Sequence, residues 1–456
     1  MNFNTSKYLP LLLGIIVSLF LYGSFGYDLE RENTLELLGL YVGLFFLYLY
    51  FLNCSCHNWK LLIAAGVLFR LVFLFALPNL SQDFYRFIWD GHLVAEGINP
   101  FVNTPDELVK VGKVSLPKWR ELHQGMGPLS AGNHSNYPPI NQLLFWISAI
   151  IGGSSLLGSV IVLRLTIFLA EIGVVVIGTR LLKHFNLSKE LILLYFLNPL
   201  VVIELSGNLH FEGVMLLAIL ISLWFLQKGN WKFSALFLAI SISVKLIPLM
   251  FLPLYYQYFR NNEQSPTKGL AKFIKFVLLG LFFSALTFTP FINNNLIENY
   301  TNTVALWFNK FEFNASIYYL FREIGFLVSG YNQIAFIGKL LAILVLGIIF
   351  ALVIFKKNET IKSLLLSMVL ALGSYLFLST TVHPWYLITL IGISIFTTFR
   401  FPIVWSLMIV LSYTAYANPN YQENPWVLAI EYLVVFGYFY SEIRNRKENF
   451  NWVKPW

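Results

Sequence analysis

The run Ser81-Gln-Asp-Phe-Tyr-Arg-Phe-Ile-Trp-Asp-Gly91 sets two carboxylates, Asp83 and Asp90, around one guanidinium, Arg86. At about 100° per residue a helix would bring Asp83 and Asp90 within roughly 20° of each other, with Arg86 about 60° away and between them in height. Seven residues of rise separate the carboxylates by roughly 10 Å, twice the ~5 Å of a double-displacement pair. The spacing therefore points to one acting carboxylate. Asp83, in the first turn, fits two roles: a cap favoured by the helix dipole, or a general base. Asp90 is equally well explained as the i+4 surface partner of Arg86, a pair worth little.

Further polar groups stand at the ends of apolar runs. Tyr137-Pro-Pro-Ile-Asn-Gln142 enters one run, and its two prolines fix an extended backbone there. Asn208-Leu-His-Phe-Glu-Gly213 puts His210 and Glu212 at the start of another. Lys245 falls inside a run that ends in Pro248 and Pro253, and His383 lies between two runs in Val382-His-Pro-Trp-Tyr386. Ionisable groups at membrane depth are costly and by default mark a site. Each one alone is also explained as an interfacial snorkeller. No metal pattern emerges, because His210 and Glu212 are two apart and face different sides of a helix. Walker and G-x-S-x-G motifs are missing, so ATP-driven transport and serine hydrolysis have no support.

The elements that position these groups must be membrane helices. The chain has 456 residues, 57% hydrophobic and 12% charged, about half the charge of a soluble domain. Its mean hydropathy is +0.67. Apolar runs at 8–26, 34–52, 60–78, 138–153, 157–182, 190–206, 209–227, 231–258, 270–291, 333–355, 361–379, 384–399, 401–417 and 425–441 predict an all-α polytopic protein of about 12 to 14 spans. The first run, after Lys7, lacks an A-x-A-like cleavage site and reads as a retained span. The net charge of +8 is the lysine and arginine excess of cytoplasmic loops rather than a nucleic-acid footprint. Cys54 and Cys56 read as free thiols.

Arg260 to Lys275, Lys356 to Lys362 and the tail with Arg444, Arg446, Lys447 and Lys454 belong inside by the positive-inside rule. Counting outwards from them exports Tyr27 to Asn33, residues 79–137, Asn293 to Asn314 and the turn ending at His383. Arg180, Lys183 and Lys189 fit this scheme poorly, since it leaves them outside; 138–153 is also short enough to be re-entrant. The loops 79–137 and 292–332 are far longer than ordinary connections, and function concentrates in such loops. In the first, Phe84, Phe87, Ile88, Gly91, Val94 and Ala95 share a stripe that would let a helix lie flat on a membrane surface.

Together these residues resemble a known family. Ser81 to Gly91 with Gly97-Ile-Asn-Pro-Phe101 is similar to the S-D-D-x-Y-R-Y-x-W-D-G…G-x-N-P-Y loop of bacterial polyprenyl-phosphate-mannose-dependent mannosyltransferases of the GT-C superfamily. Tyr137-Pro-Pro139 with Gln142, His210-Phe-Glu-Gly213, Lys245 with its prolines, and His383-Pro-Trp-Tyr386 follow in the expected order, over about Arg70 to Tyr386. The resemblance implies a GT-C-like domain over 60–456, with 1–59 as two additional N-terminal spans, in a bacterial plasma membrane. It further implies a catalytic acid in the first long loop, a lipid-phosphate sugar as donor, mannose transfer to a glycan or glycolipid acceptor, and inversion by single displacement. Asp83 aligns with the second acid of the family's pair and becomes the candidate base. Gln82 replaces the first, so no metal cofactor is expected. Arg86, Lys245 and His383 are the candidate phosphate ligands, Arg86 foremost for its fork geometry. Asp90, Tyr137, Gln142, His210 and Glu212 complete the candidate substrate-binding set. A transporter or flippase for a lipid-linked sugar, or a non-catalytic scaffold subunit of polysaccharide assembly, remains the alternative. The transporter would need paired intramembrane carboxylates or a repeated half, and neither is visible.

Overall fold

The computed structural model describes residues 5–112, 115–418 and 420–446. Lys447 and Lys454, counted above in the basic tail, lie outside them. The protein is an all-α polytopic membrane protein, and among the described residues its only β-type pairing is one isolated bridge between Phe313 and Thr381. Among the described residues eight helices are long and apolar enough to cross a bilayer, and a bent pair, Lys189–Phe196 with Pro199–Gly207, makes a ninth if it is one broken span. Five shorter apolar helices, among them Pro139–Gly152, Glu212–Gln227 and Trp231–Val244, account for the other predicted runs. They are short because prolines, glycines and polar cavity residues interrupt them.

Four helices open the chain: α1 (Thr5–Tyr27), α2 (Thr34–Asn53), α3 (Ser55–Val72) and α4 (Asp83–Ala95). Cys54, at the junction of α2 and α3, is a free thiol. α4 ends where Gly97 takes φ +72, a conformation glycine adopts without a Cβ penalty. The Ile98 N–H then donates to the Leu93 carbonyl at 2.8 Å, closing the last turn.

Contrary to the flat surface helix expected from its stripe, α4 is buried on nearly every side, from Arg86 through Leu93. The Pro139–Gly152 helix covers one face so closely that a Cβ on Gly91 would stand 2.2 Å from the Phe145 carbonyl oxygen. Phe87 stacks on Phe145 there, with centroids 4.7 Å apart. A second short helix, Trp119–Gly125, covers the opposite side at Tyr85 and Trp89.

The path of 138–258 also differs from the simple count. The Pro139–Gly152 helix leaves from Tyr137 and turns directly into Leu156–His184. Early in that helix, Arg164 still donates to the carbonyls of Leu74, Ser206 and Gly207, beside the Asp83 end of the bundle. The helix then runs to the opposite end, where Lys189 lies over Trp59 and Lys362 over Phe185. Arg180, Lys183 and Lys189 thereby join the end that holds Lys60 and Lys362. The predicted run 231–258 is two segments, because the helix stops at Val244 and Lys245 is extended (φ −154, ψ 140). The chain returns as Ile247–Tyr255 and Tyr256–Asn261. Lys245 thus sits in a break at the Asp83 end, not within a continuous span.

Candidate active site

A cavity of about 470 Å³ opens at that end, lined by segments far apart in sequence: 80–87, 126–141, 210–212, Lys245, 303–306, 311–313, 383–386, Tyr416 and Tyr421, with Arg31. Asp83, Arg86, Tyr137, His210, Glu212, Lys245 and His383 all line it. Asp90 and Gln142 do not.

Asp83 is the first residue of α4, not its cap. The N-cap is Gln82, whose side chain caps nothing and instead donates to the Met126 carbonyl. The Asp83 carboxylate, half-buried on the cavity wall, pairs with the Tyr137 hydroxyl and lies in the fields of Lys245 and Glu212. Burial pushes its acid constant up to about 6, against the opposing pull of Lys245 and of the Tyr137 hydrogen bond. A carboxylate so tuned is ionised near neutrality and close enough in basicity to a physiological acid to take a proton from an alcohol in a transition state.

The Arg86–Asp90 pair is a buried one, at 2.7 Å with both side chains shielded, which corrects the expectation of a weak surface contact. Asp90 also accepts from Ser135 at 2.6 Å and from Gln142 at 3.1 Å. Arg86 Nη1 donates to the carbonyls of Ser130 and Asn133. These bonds tie the strap 130–137 to α4 and so set the position of Tyr137. Arg86 spends Nε and Nη1 on that scaffold, leaving Nη2 for the cavity, while Asp90 and Gln142 bond to the scaffold from behind the cavity wall.

Lys245 is the more open cation. Its ammonium pairs with the buried Glu212 carboxylate and lies 4.8 Å from the centre of the Tyr386 ring. Asn141 donates to the Val244 carbonyl at 2.9 Å, holding the helix end that presents Lys245.

His210, Trp385, His383 and Phe313 form a column of stacked rings, with successive centroids 3.8, 4.4 and 4.9 Å apart. Burial and the nearby Lys245 hold both imidazoles neutral, His383 down at about 3 and His210 well below the usual histidine range. His383 therefore offers a hydrogen bond rather than the cation expected of it. The column is fixed from two sides. Phe313 pairs with the 380–382 backbone through bonds of 3.1 and 2.8 Å. His210 follows Leu209, a fully buried non-glycine at φ +65, just after the π-helical turn Val202–Gly207. Such a conformation costs of order 1–3 kcal/mol and persists only where packing dictates it.

Sequence reasoning missed Arg31, Asn141, Phe311, Glu312, Phe313, Trp385, Tyr386 and Tyr416 as cavity residues. The two long-loop signals and the His-Pro-Trp-Tyr motif pointed to several of these segments, but nothing local marked Arg31 or Tyr416.

The fold and the cavity define a multi-span membrane protein with a carboxylate, Asp83, and a lysine, Lys245, lining one pocket at the membrane end of its helices. Residues 24–259, just over half of the chain, match the sequence model of the alpha-(1->6)-mannopyranosyltransferase family, N-terminal domain, and the chain belongs to that family. It is 25% identical over 191 residues to alpha-(1->6)-mannopyranosyltransferase A of Corynebacterium glutamicum, and 27% identical over 175 residues to alpha-(1->6)-mannopyranosyltransferase B of the same organism. The A enzyme of Mycobacterium tuberculosis is 26% identical over 192 residues. These alignments cover 40%, 36% and 42% of this chain but only 35%, 27% and 35% of the relatives. The matched region begins before α2 and includes Asp83, Tyr137, His210, Glu212 and Lys245.

Proposed function

We infer that this protein is a mannosyltransferase that uses a polyprenyl-phosphate-linked sugar and extends a glycan or glycolipid on the extracytoplasmic face. The observation that carries the reading is Asp83, a carboxylate raised to about 6 and lining the cavity with Lys245. A lipid-phosphate sugar already carries a good leaving group. The enzyme then needs a base for the acceptor hydroxyl and positive charge for the departing phosphate. In one displacement the acceptor oxygen bonds to the anomeric carbon, the carbon–oxygen bond to phosphate breaks, and the acceptor proton passes to Asp83. The lipid monophosphate leaves with one more negative charge, which Lys245 offsets; Arg86 Nη2 and the neutral His383 supply hydrogen bonds. Inversion would make an α-(1→6) product, the linkage in the relatives' names, from a β-linked donor. Lysine and arginine side chains on the cavity wall fit a transfer in which the departing phosphate is held without a divalent cation.

Arg180, Lys183, Lys189 and Arg260 to Lys275 gather at the end of the bundle opposite the cavity, which supports an extracytoplasmic site in the plasma membrane of a bacterium. The test is transfer of radiolabel from polyprenyl-phosphate mannose to an α-mannosyl glycolipid in membranes expressing the protein. Label in a larger glycolipid that is absent with Asp83→Asn supports the reading. Transfer from a nucleotide sugar but not from the lipid donor overturns it.

A further inference from the structure

Among the described residues three cationic side chains of the lysine and arginine type line the cavity, and two are engaged: Arg86 by Asp90 and two carbonyls, Lys245 by Glu212. The third, Arg31, has one carboxylate contact, an exposed Glu32 at 3.9 Å, and its guanidinium lies 4.2 Å over the Tyr416 ring. Tyr416 is within the electrostatic reach of both Arg31 and Asp83, so the cation and the carboxylate address the same space.

Arg31 also stands at the head of a second feature. It precedes α2, and Tyr416 lies near the end of the 3-10 segment Ile409–Ala417, which packs against α2. The two run in opposite directions, since Arg31 meets Tyr416 at one end and the Tyr41 hydroxyl bonds to the Ser406 carbonyl further down. Between them lies a groove of about 280 Å³ lined only by apolar side chains, including Leu38, Val42 and Phe46 from α2 and Leu407 and Leu411 opposite. Phe46 and Val42 are open to the surroundings at 68% and 39% exposure. The groove starts at Leu38, in the second turn of α2 and seven residues after Arg31 in the chain.

We propose that the crevice between α2 and Ile409–Ala417 is the lipid-donor site, with Arg31 binding the donor's phosphate and the apolar groove receiving the first isoprene units of its tail. The inference rests on the lipid-phosphate reading of the donor and adds where that donor lies. Charge and shape both favour this occupant. A guanidinium suits a phosphate through its fork of donors, and an apolar furrow beneath it suits a chain joined to that phosphate. An ordinary phospholipid chain would satisfy the groove without needing the cavity's cation.

The experiment has three arms in proteoliposomes. For Arg31→Ala, KM for polyprenyl-phosphate mannose is expected to rise tenfold or more while kcat falls less, with Arg31→Lys recovering part of the loss. With benzoylphenylalanine at Phe46, crosslinking to radiolabelled polyprenyl phosphate is expected, suppressed by unlabelled polyprenyl phosphate but not by equal phosphatidylglycerol. Val42→Trp, narrowing the groove, is expected to remove the wild-type preference for long-chain over ten-carbon donors. A KM for Arg31→Ala within twofold of wild type overturns the phosphate assignment. Equal suppression by phosphatidylglycerol, meaning a bilayer chain only, overturns the tail assignment, as does an unchanged chain-length preference. If the wild type itself fails to use the lipid donor, the donor reading has failed instead. Monodispersity in detergent at wild-type yield checks that each variant is folded.

Discussion

Replacing Asp83 by Asn separates base catalysis from every structural role the side chain could have. The residue is the first of α4 rather than its cap, so Asn costs the helix little. Asn Oδ1 can still accept from the Tyr137 hydroxyl, the contact Asp83 makes now. What is lost is proton acceptance. A general base contributes about 10²–10⁴ in rate, or roughly 2.7–5.5 kcal/mol at about 1.36 kcal/mol per decade. The wild-type pH profile provides an internal control. With its acid constant raised to about 6, Asp83 is about nine-tenths ionised at pH 7 and about one-tenth at pH 5. The rate should therefore fall about tenfold between those values, activity being present above the constant and lost as pH falls through it. The assay is initial transfer rate at saturating lipid donor, from pH 5 to 8, at matched membrane expression. A rate for Asp83→Asn within threefold of wild type, or a flat acid limb, would refute the assignment of Asp83 as base.

Lys245→Met removes the charge that favours ionised Asp83, so the acid limb of the rate profile is expected to move to higher pH; a limb that stays put or moves down contradicts the electrostatic account. Asp90→Ala breaks a buried pair and is expected to destabilise the protein by about 3–5 kcal/mol, seen as a lower unfolding midpoint in detergent that Asp83→Asn does not share. A midpoint for Asp90→Ala equal to wild type would return Asp90 to the status of a surface residue. Transfer is expected to survive chelator unchanged, because lysine and arginine can hold a phosphate without a metal; loss in chelator with recovery on adding magnesium or manganese would contradict it. A cysteine at Lys268 should resist an impermeant thiol reagent applied to intact cells while one at Asn133 reacts, and the reverse pattern would invert the topology.

The sequence by itself determined the solvent and the helices. A chain with 57% hydrophobic residues and 12% charge has too little polar surface for water, and each apolar run corresponds to an apolar helical segment. It also showed where most of the chemistry stands, since ionisable residues at span ends are too costly to be there by composition alone, and seven of the nine candidates meet in one cavity. Tertiary structure decided the rest. Periodicity describes one helix at a time, so it could show that Asp83 and Asp90 share a face but not that Pro139–Gly152 closes over the second and leaves the first open. Hydropathy reads a run as continuous wherever its residues are apolar, so it passed over the break at Lys245, where Val244, Leu246 and Ile247 hide a change of backbone direction. Arg31 and Tyr416 illustrate the same limit: neither belongs to a motif, and they are 385 positions apart. Only the antiparallel packing of α2 on Ile409–Ala417 places that guanidinium on that ring, because contacts between distant segments depend on how whole helices pack, which no local pattern encodes.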